Sequence, residues 1–263
     1  MTRFARAAFA AALAAGLAGC AASPGTRPDV EAASATSATA QVSELTLNVF
    51  AAASLTDAFE SLETKFEAAN PAVDVVFNFA GSADLAAQIT EGAPADVFAS
   101  ANESQMAAVG DAVAGPEIFA SNALTIAVAA GNPLGIAGLG DLANPELRLV
   151  VCAPAVPCGA ATATLASTQG VALAPVSEES NVTDVLGKVA SGEADAGVVY
   201  VTDIARADGI EGVAIAGAES VVSSYPIGAL TASAHGEAAD AFVAWVLGAE
   251  GQAVLTSYGF GAP

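Results

Sequence analysis

Apolar and polar positions along this chain fall into short strand-like runs, each followed by a helical period. Leu47, Val49 and Phe50 make an apolar run of the kind that forms a buried strand. Ala51–Ala53 follow and leave the backbone bare, and then come Ser54, Thr56 and Asp57, residue types that begin helices. Leu55, Phe59, Leu62 and Phe66 recur at steps of three and four, one face of an amphipathic helix. Val73, Val75 and Phe77 then mark a second strand, which runs through the small turn Ala80-Gly81 into Ser82 and an apolar helix reaching Ile89. The pattern therefore predicts one device twice: strand, bare turn, serine, helix. Two parallel strands feeding two helix starts place both serines at one edge of a sheet, where ligands of open α/β sheets bind. A helix start offers unpaired N–H groups and the positive end of the helix dipole, so a hydroxyl beside it makes a ready anion site. A pair of ordinary helix caps would leave the same pattern.

The rest of the chain continues in the same style. A turn at Gly92 and Pro94 precedes a short strand at Val97-Phe98, and a helix is expected from Asn102 through Val109. Residues 123–130 read as a strongly apolar strand, 139–142 as a short helix and 147–151 as another strand. Helices are expected around 161–168 and 182–191, with the strand Ala196–Tyr200 after them. The run 221–230 reads as a strand in which Pro226 suggests an edge or a crossing. A terminal helix carries Phe242, Trp245, Val246 and Leu247, and a short helix surrounds Val254. This order is a βαβαβ group, a second α/β group and a return, which fits two α/β lobes joined by crossing strands. Residues 44–124 and 226–263 are expected to form lobe I, and 125–225 lobe II.

Charge narrows the partners. The chain has 28 acidic and 7 basic residues, a net charge of −21. Arg3, Arg6 and Arg27 sit at the start, which leaves Lys65, Arg148, Lys188 and Arg206 for the body. No basic patch exists to neutralise phosphates, so nucleic acid is excluded as a partner. Apolar residues make up 54% but aromatics only 6%, so the core is expected to be built from small side chains.

Residues 1–20 read as a bacterial export signal: Arg3 and Arg6, the apolar stretch 7–17, and then Leu17-Ala18-Gly19-Cys20. The last four resemble a lipobox, in which Cys20 receives lipid and tethers the protein to the membrane. Residues 21–43 are rich in Ala, Ser and Thr with almost no large apolar side chain, the composition of a flexible tether. The body is thus expected outside the cell membrane. With Cys20 lipidated, Cys152 and Cys158 remain as an even pair in an oxidising compartment and are expected to form a disulfide.

Catalytic constellations are scarce. The one histidine, His235, lies in the polar turn before the last helices and reads as a turn residue rather than a base. Neither HExxH nor paired Cys/His spacing occurs, and Gly187-Lys188-Val189 lacks the form of a phosphate loop. Asn102 and Asn181 match a glycosylation pattern by chance. What remains are neutral donors: Ser54, Ser82, the N–H groups around Cys158 and Gly159, the helix start near Val182, and Tyr200 at the end of an apolar strand. No enzyme activity, cofactor or direct protein–metal ligand is expected.

These residues lie in segments that resemble a known family. AAASLTDAF from Ala51, FAGSADLAAQI from Phe79, EGAPADVF from Glu91, VPCGA from Val156, GVVY from Gly197 and the tail YGF from Tyr258 occur in this order. Together they resemble the periplasmic molybdate-binding proteins of ABC importers, over about residues 45–263. The resemblance implies a two-lobed class II solute-binding fold, each lobe a mixed sheet flanked by helices, joined by crossing hinge strands. It implies capture of molybdate or tungstate between the lobes and delivery to an ABC permease; a monomer is expected, anchored through Cys20 by the lipobox reading. By motif the oxyanion ligands fall on the hydroxyls of Ser54, Ser82 and Tyr200 and the backbone N–H groups of Cys158 and Val182. Many members have alanine where this chain has Cys158, but a backbone N–H serves equally well. Sulfate or another tetrahedral oxyanion is the alternative ligand, and a phosphate-ester enzyme the more distant alternative.

Overall fold

The computed structural model describes residues 45–263, so the export signal, the 21–43 tether and Cys20 lie outside the described residues. β1 (Leu45–Ala52), α1 (Thr56–Ala69), β2 (Val73–Ala80), α2 (Ser82–Thr90), β3 (Val97–Ala99) and α3 (Glu103–Ala108) follow one another as the periodicity requires. β1 lies parallel to β2 in a register that sets Ala52 beside Ala80. The turns that follow these two alanines, with Ser54 and Ser82 in them, therefore leave the sheet at the same edge.

β4 (Glu117–Asn122) and β5 (Leu124–Ala129) are separated only by Ala123 and carry the chain out of the first sheet and into a second. There β6 (Leu149–Cys152), α4 (Pro157–Gln169), β7 (Ser177–Glu179), α5 (Val182–Ala190), β8 (Ala196–Tyr200) and β9 (Ile210–Ala214) build the second lobe. β10 (Ser223–Ala229) returns to the first sheet, and α6 (Gly236–Leu247) and α7 (Ala249–Ser257) pack on that lobe. The sheet orders are β2-β1-β3-β10-β4 and β7-β6-β8-β5-β9. In each, three parallel strands are followed by one antiparallel crossing strand, β10 in the first and β5 in the second. This is the α/β architecture of two mixed sheets flanked by helices.

One boundary departs from the sequence reading. β10 begins at Ser223, three residues before the boundary placed at 226, because Ser223, Ser224 and Tyr225 already pair with β4. Of the two readings of Pro226, an edge or a crossing, the crossing holds: β10 lies between β3 and β4, and a register shift at Tyr225/Pro226 absorbs the missing N–H. The Pro226 carbonyl remains in use and accepts the Ser100 N–H at 2.9 Å.

The expectation of a core of small side chains holds for only one lobe. Every phenylalanine among the described residues belongs to the first lobe, where Phe59 meets Phe77, Phe119 and Phe242, and Phe66 meets Trp245. The second core is aliphatic apart from Tyr200, with Ile126, Leu149, Leu165, Val185 and Val198 fully buried or nearly so.

Candidate functional site

The two lobes enclose a cavity lined by the first residues of four helical turns, two from each lobe. They are Ala53-Ser54 after β1, Gly81-Ser82 after β2, Pro157-Cys158 after β6 and Asn181-Val182 after β7, with Tyr200 at the end of β8. The second lobe repeats the device of the first, since β6 and β7 are parallel with Cys152 beside Glu179. All five residues singled out in the sequence, Ser54, Ser82, Cys158, Val182 and Tyr200, are thus brought to one cavity. The space is small, about 10 Å³, which is about the room of one water molecule.

Neither serine is a helix cap. Ser54 lies within the single 3-10 turn Ala53–Leu55 and makes no capping bond; its Oγ is 3.0 Å from the Tyr225 phenol oxygen. Ser82 is the first residue of α2, Gly81 holds the cap position, and the Ser82 Oγ accepts the Ala101 N–H at 3.0 Å. Capping falls to the asparagines of the glycosylation-like matches. Asn102 Oδ1 accepts the Gln105 N–H, and Asn181 Oδ1 accepts the Asp184 N–H, both at 2.9 Å. The bland reading of two capping serines is therefore replaced by two buried hydroxyls on a cavity wall.

Ser82, Cys158, Gly159 and Val182 fall in first helical turns, where N–H groups have no intrahelical acceptor. Cys158 is held firmly. It is bonded to Cys152 through a disulfide with Cα atoms 5.7 Å apart, and Pro157 opens α4 beside it. A Cβ at Gly159 would fall 2.0 Å from the Ala153 carbonyl oxygen, so the loop folds directly onto the helix start.

No residue lining the cavity is charged. Arg206, on its flank, is already matched: it pairs with Asp57 at 3.3 Å and Asp203 at 3.2 Å, and donates to the Ala53 carbonyl at 3.1 Å. Buried Asp203 accepts the Tyr200 N–H at 2.9 Å. Burial pushes its carboxyl up to about 6, against the pull of Arg206. Burial likewise raises the Tyr200 phenol well above its ordinary value, so it stays a neutral donor. Among the described residues no cluster of three His, Cys, Asp or Glu side chains is arranged to hold a metal ion.

The lobes touch across the cleft. Arg206 reaches Ala53 and Asp57 of the first lobe, and Gln105 Nε2 donates to the Ala155 carbonyl of the second at 2.8 Å. They also come together at Gly81, where an added Cβ would lie 2.1 Å from the Ser180 carbonyl oxygen. Sequence reasoning passed over Gly81, Asn181, Ala101 and Arg206. A Cβ-free residue directly before Ser82 was the one local signal for any of them.

The sequence model of the bacterial extracellular solute-binding proteins matches residues 47–261. A Mycobacterium tuberculosis protein named molybdate-binding protein ModA is 48% identical over 219 residues, covering 82% of this chain and 84% of its own. A Haemophilus influenzae protein of the same name is 32% identical over 232 residues, covering 82% of this chain and 90% of its own. Among solved structures, the Azotobacter vinelandii periplasmic molybdate-binding protein superposes with a TM-score of 0.71 at 23% identity, over 82% of this chain and 99% of its own, a likeness of fold.

Proposed function

Since this chain belongs to the bacterial extracellular solute-binding protein family, we propose that it captures molybdate, and with it tungstate, between its lobes for delivery to an ABC permease. The observation that carries this reading is a small cavity lined by three hydroxyls and the N-termini of helices from both lobes, with no charged side chain. Such a wall meets a tetrahedral dianion with neutral donors, each hydrogen bond to the charged ligand contributing about 1.5–3 kcal/mol. An anion placed there is also favoured by the dipoles of the longer helices. Cys20, lipidated, would hold the receptor at the membrane outside the cell.

A thermal-shift panel tests the ligand. Molybdate and tungstate are expected to raise the melting temperature, because a ligand that binds only the folded state stabilises it by RT ln(1 + [L]/Kd). Sulfate and phosphate are expected to do so far less. Equal shifts from all four anions would refute selectivity for the larger pair.

The Cys152–Cys158 bond is expected to serve the same site. It closes a seven-residue loop, for which the chain-entropy relation gives about 2.4 kcal/mol of stabilisation. Its local effect is to hold the Cys158 N–H in place before the ligand arrives, which lowers the ordering cost of binding. Reduction should therefore lower both the melting temperature and the molybdate affinity, read by calorimetry with intact mass to report the thiol state. Two free thiols in the protein as isolated, or an affinity indifferent to reduction, would remove this role.

A further inference from the structure

Every hydroxyl on the cavity wall has a buried hydrogen-bond partner. The Ser82 Oγ accepts the Ala101 N–H, as described above. The Tyr200 phenol oxygen accepts the Ser223 hydroxyl at 3.3 Å. Ser54 is reached by a chain of bonds that begins at the other crossing. Asn122 Oδ1 accepts the Ala123 N–H at 3.0 Å, so its Nδ2 is the donor, to Thr202 Oγ1 at 2.8 Å and to the Tyr225 phenol oxygen at 3.5 Å. The Tyr225 hydroxyl and the Ser54 Oγ stand 3.0 Å apart, and either can donate to the other. When Tyr225 donates, the proton of Ser54 is left for the cavity.

We propose that Tyr225 and Ser223, neighbours on one face of the returning strand β10, are positioning residues that fix the cavity hydroxyls as donors. One serves Ser54 of the first lobe and the other Tyr200 of the second. They stand two residues apart, which in a strand puts both side chains on the same face. Both are buried, so no water competes for the hydroxyl oxygens they occupy. Burial also raises the Tyr225 phenol, which keeps its proton at neutral pH. The consequence is a wall of hydroxyl protons. A tetrahedral oxyanion whose four oxygens are all bare acceptors satisfies it, whereas an anion that keeps a proton, such as hydrogenphosphate, sets a donor against a donor.

The inference rests on the oxyanion-binding reading, and a double-mutant cycle separates the two. Tyr225→Phe keeps the ring packed on Phe119 and Phe260 and removes only the hydroxyl. Molybdate affinity is expected to fall about 3- to 10-fold in the parent background and less than about 2-fold in the Ser54→Ala background, because the two act through one bond. The ratio of molybdate to phosphate affinity is also expected to fall in Tyr225→Phe, since a freed Ser54 Oγ can accept a proton. A merely structural defect would weaken both anions alike. Ser223→Ala combined with Tyr200→Phe repeats the test on the second lobe, should Tyr225→Phe fail to fold. Losses that simply add, with an unchanged anion ratio, overturn the assignment while leaving oxyanion binding intact. A parent protein that binds none of molybdate, tungstate, sulfate and phosphate overturns both.

Discussion

Gly81→Ala is expected to leave both lobes folded and to weaken molybdate binding by more than about 100-fold. The backbone at Gly81 has φ −60 and ψ 136, a conformation open to any residue, so the added methyl costs nothing while the lobes are apart. In contact, that methyl would sit 2.1 Å from the Ser180 carbonyl oxygen of the opposite lobe. The lobes would have to stop more than about 1 Å short of contact to restore an ordinary separation. The proposed donors come from both lobes, so a gap of that size would stretch the bonds on one side beyond hydrogen-bonding distance. Losing two charge-assisted bonds at about 1.5–3 kcal/mol each exceeds a hundredfold in affinity. The melting temperature without ligand should stay within the small range of a neutral surface change. Small-angle scattering supplies the second readout: the parent should contract on adding molybdate, as hinge-closing binders do, and the variant should not. Parent-like affinity in Gly81→Ala, or a scattering profile of the parent unmoved by ligand, would show that closure at this point plays no part in capture.

Ser54→Ala and Ser82→Ala carry the next largest effects. Each removes one donor to a divalent ligand, so molybdate affinity measured by calorimetry should fall about 10- to 150-fold. Each also strands a buried partner: the Tyr225 hydroxyl for Ser54, the Ala101 N–H for Ser82. An unsatisfied buried donor costs about 1–3 kcal/mol, so the melting temperature should fall as well, without loss of the folded state. The pattern of a capping serine would be different. Replacing a cap lowers helix stability but leaves affinity untouched, so two variants that bind like the parent would return both serines to an ordinary structural role.

The parts of the fold that were missed share one property. β4, β7 and β9 were not read from the sequence, and all three are strands at a sheet edge. An edge strand pairs on one side only and often exposes polar residues, so Ser177-Glu178-Glu179 carries no apolar period to read. β1, β5 and β8 are buried on both faces and were plain as apolar runs. Pro226 left an edge and a crossing both open for a related reason. Proline in a strand usually marks an edge, and only the pairing of β10 with both β3 and β4 reveals that a register shift accommodates it inside the sheet.

The sequence by itself determined the repeated strand–turn–serine–helix device, the neutral character of the candidate donors and the likeness to a family. The first two follow from periods of two and 3.6 residues and from residue chemistry, and the likeness from short matching segments, all of them local. The five candidate residues stood out because each sits at a strand end or helix start, and the resemblance implied that they are the ligand residues. Tertiary structure alone decided which groups their hydroxyls meet and how closely the lobes meet. The partner of Ser54 lies 171 residues away on the returning strand, and no spacing in the chain announces that pairing. Gly81 likewise reads as an ordinary turn glycine until Ser180 of the other lobe arrives opposite it. Hydrogen-bond partners and steric clearance depend on atoms that folding brings together from distant parts of the chain, and for that reason they had to be found in the structure.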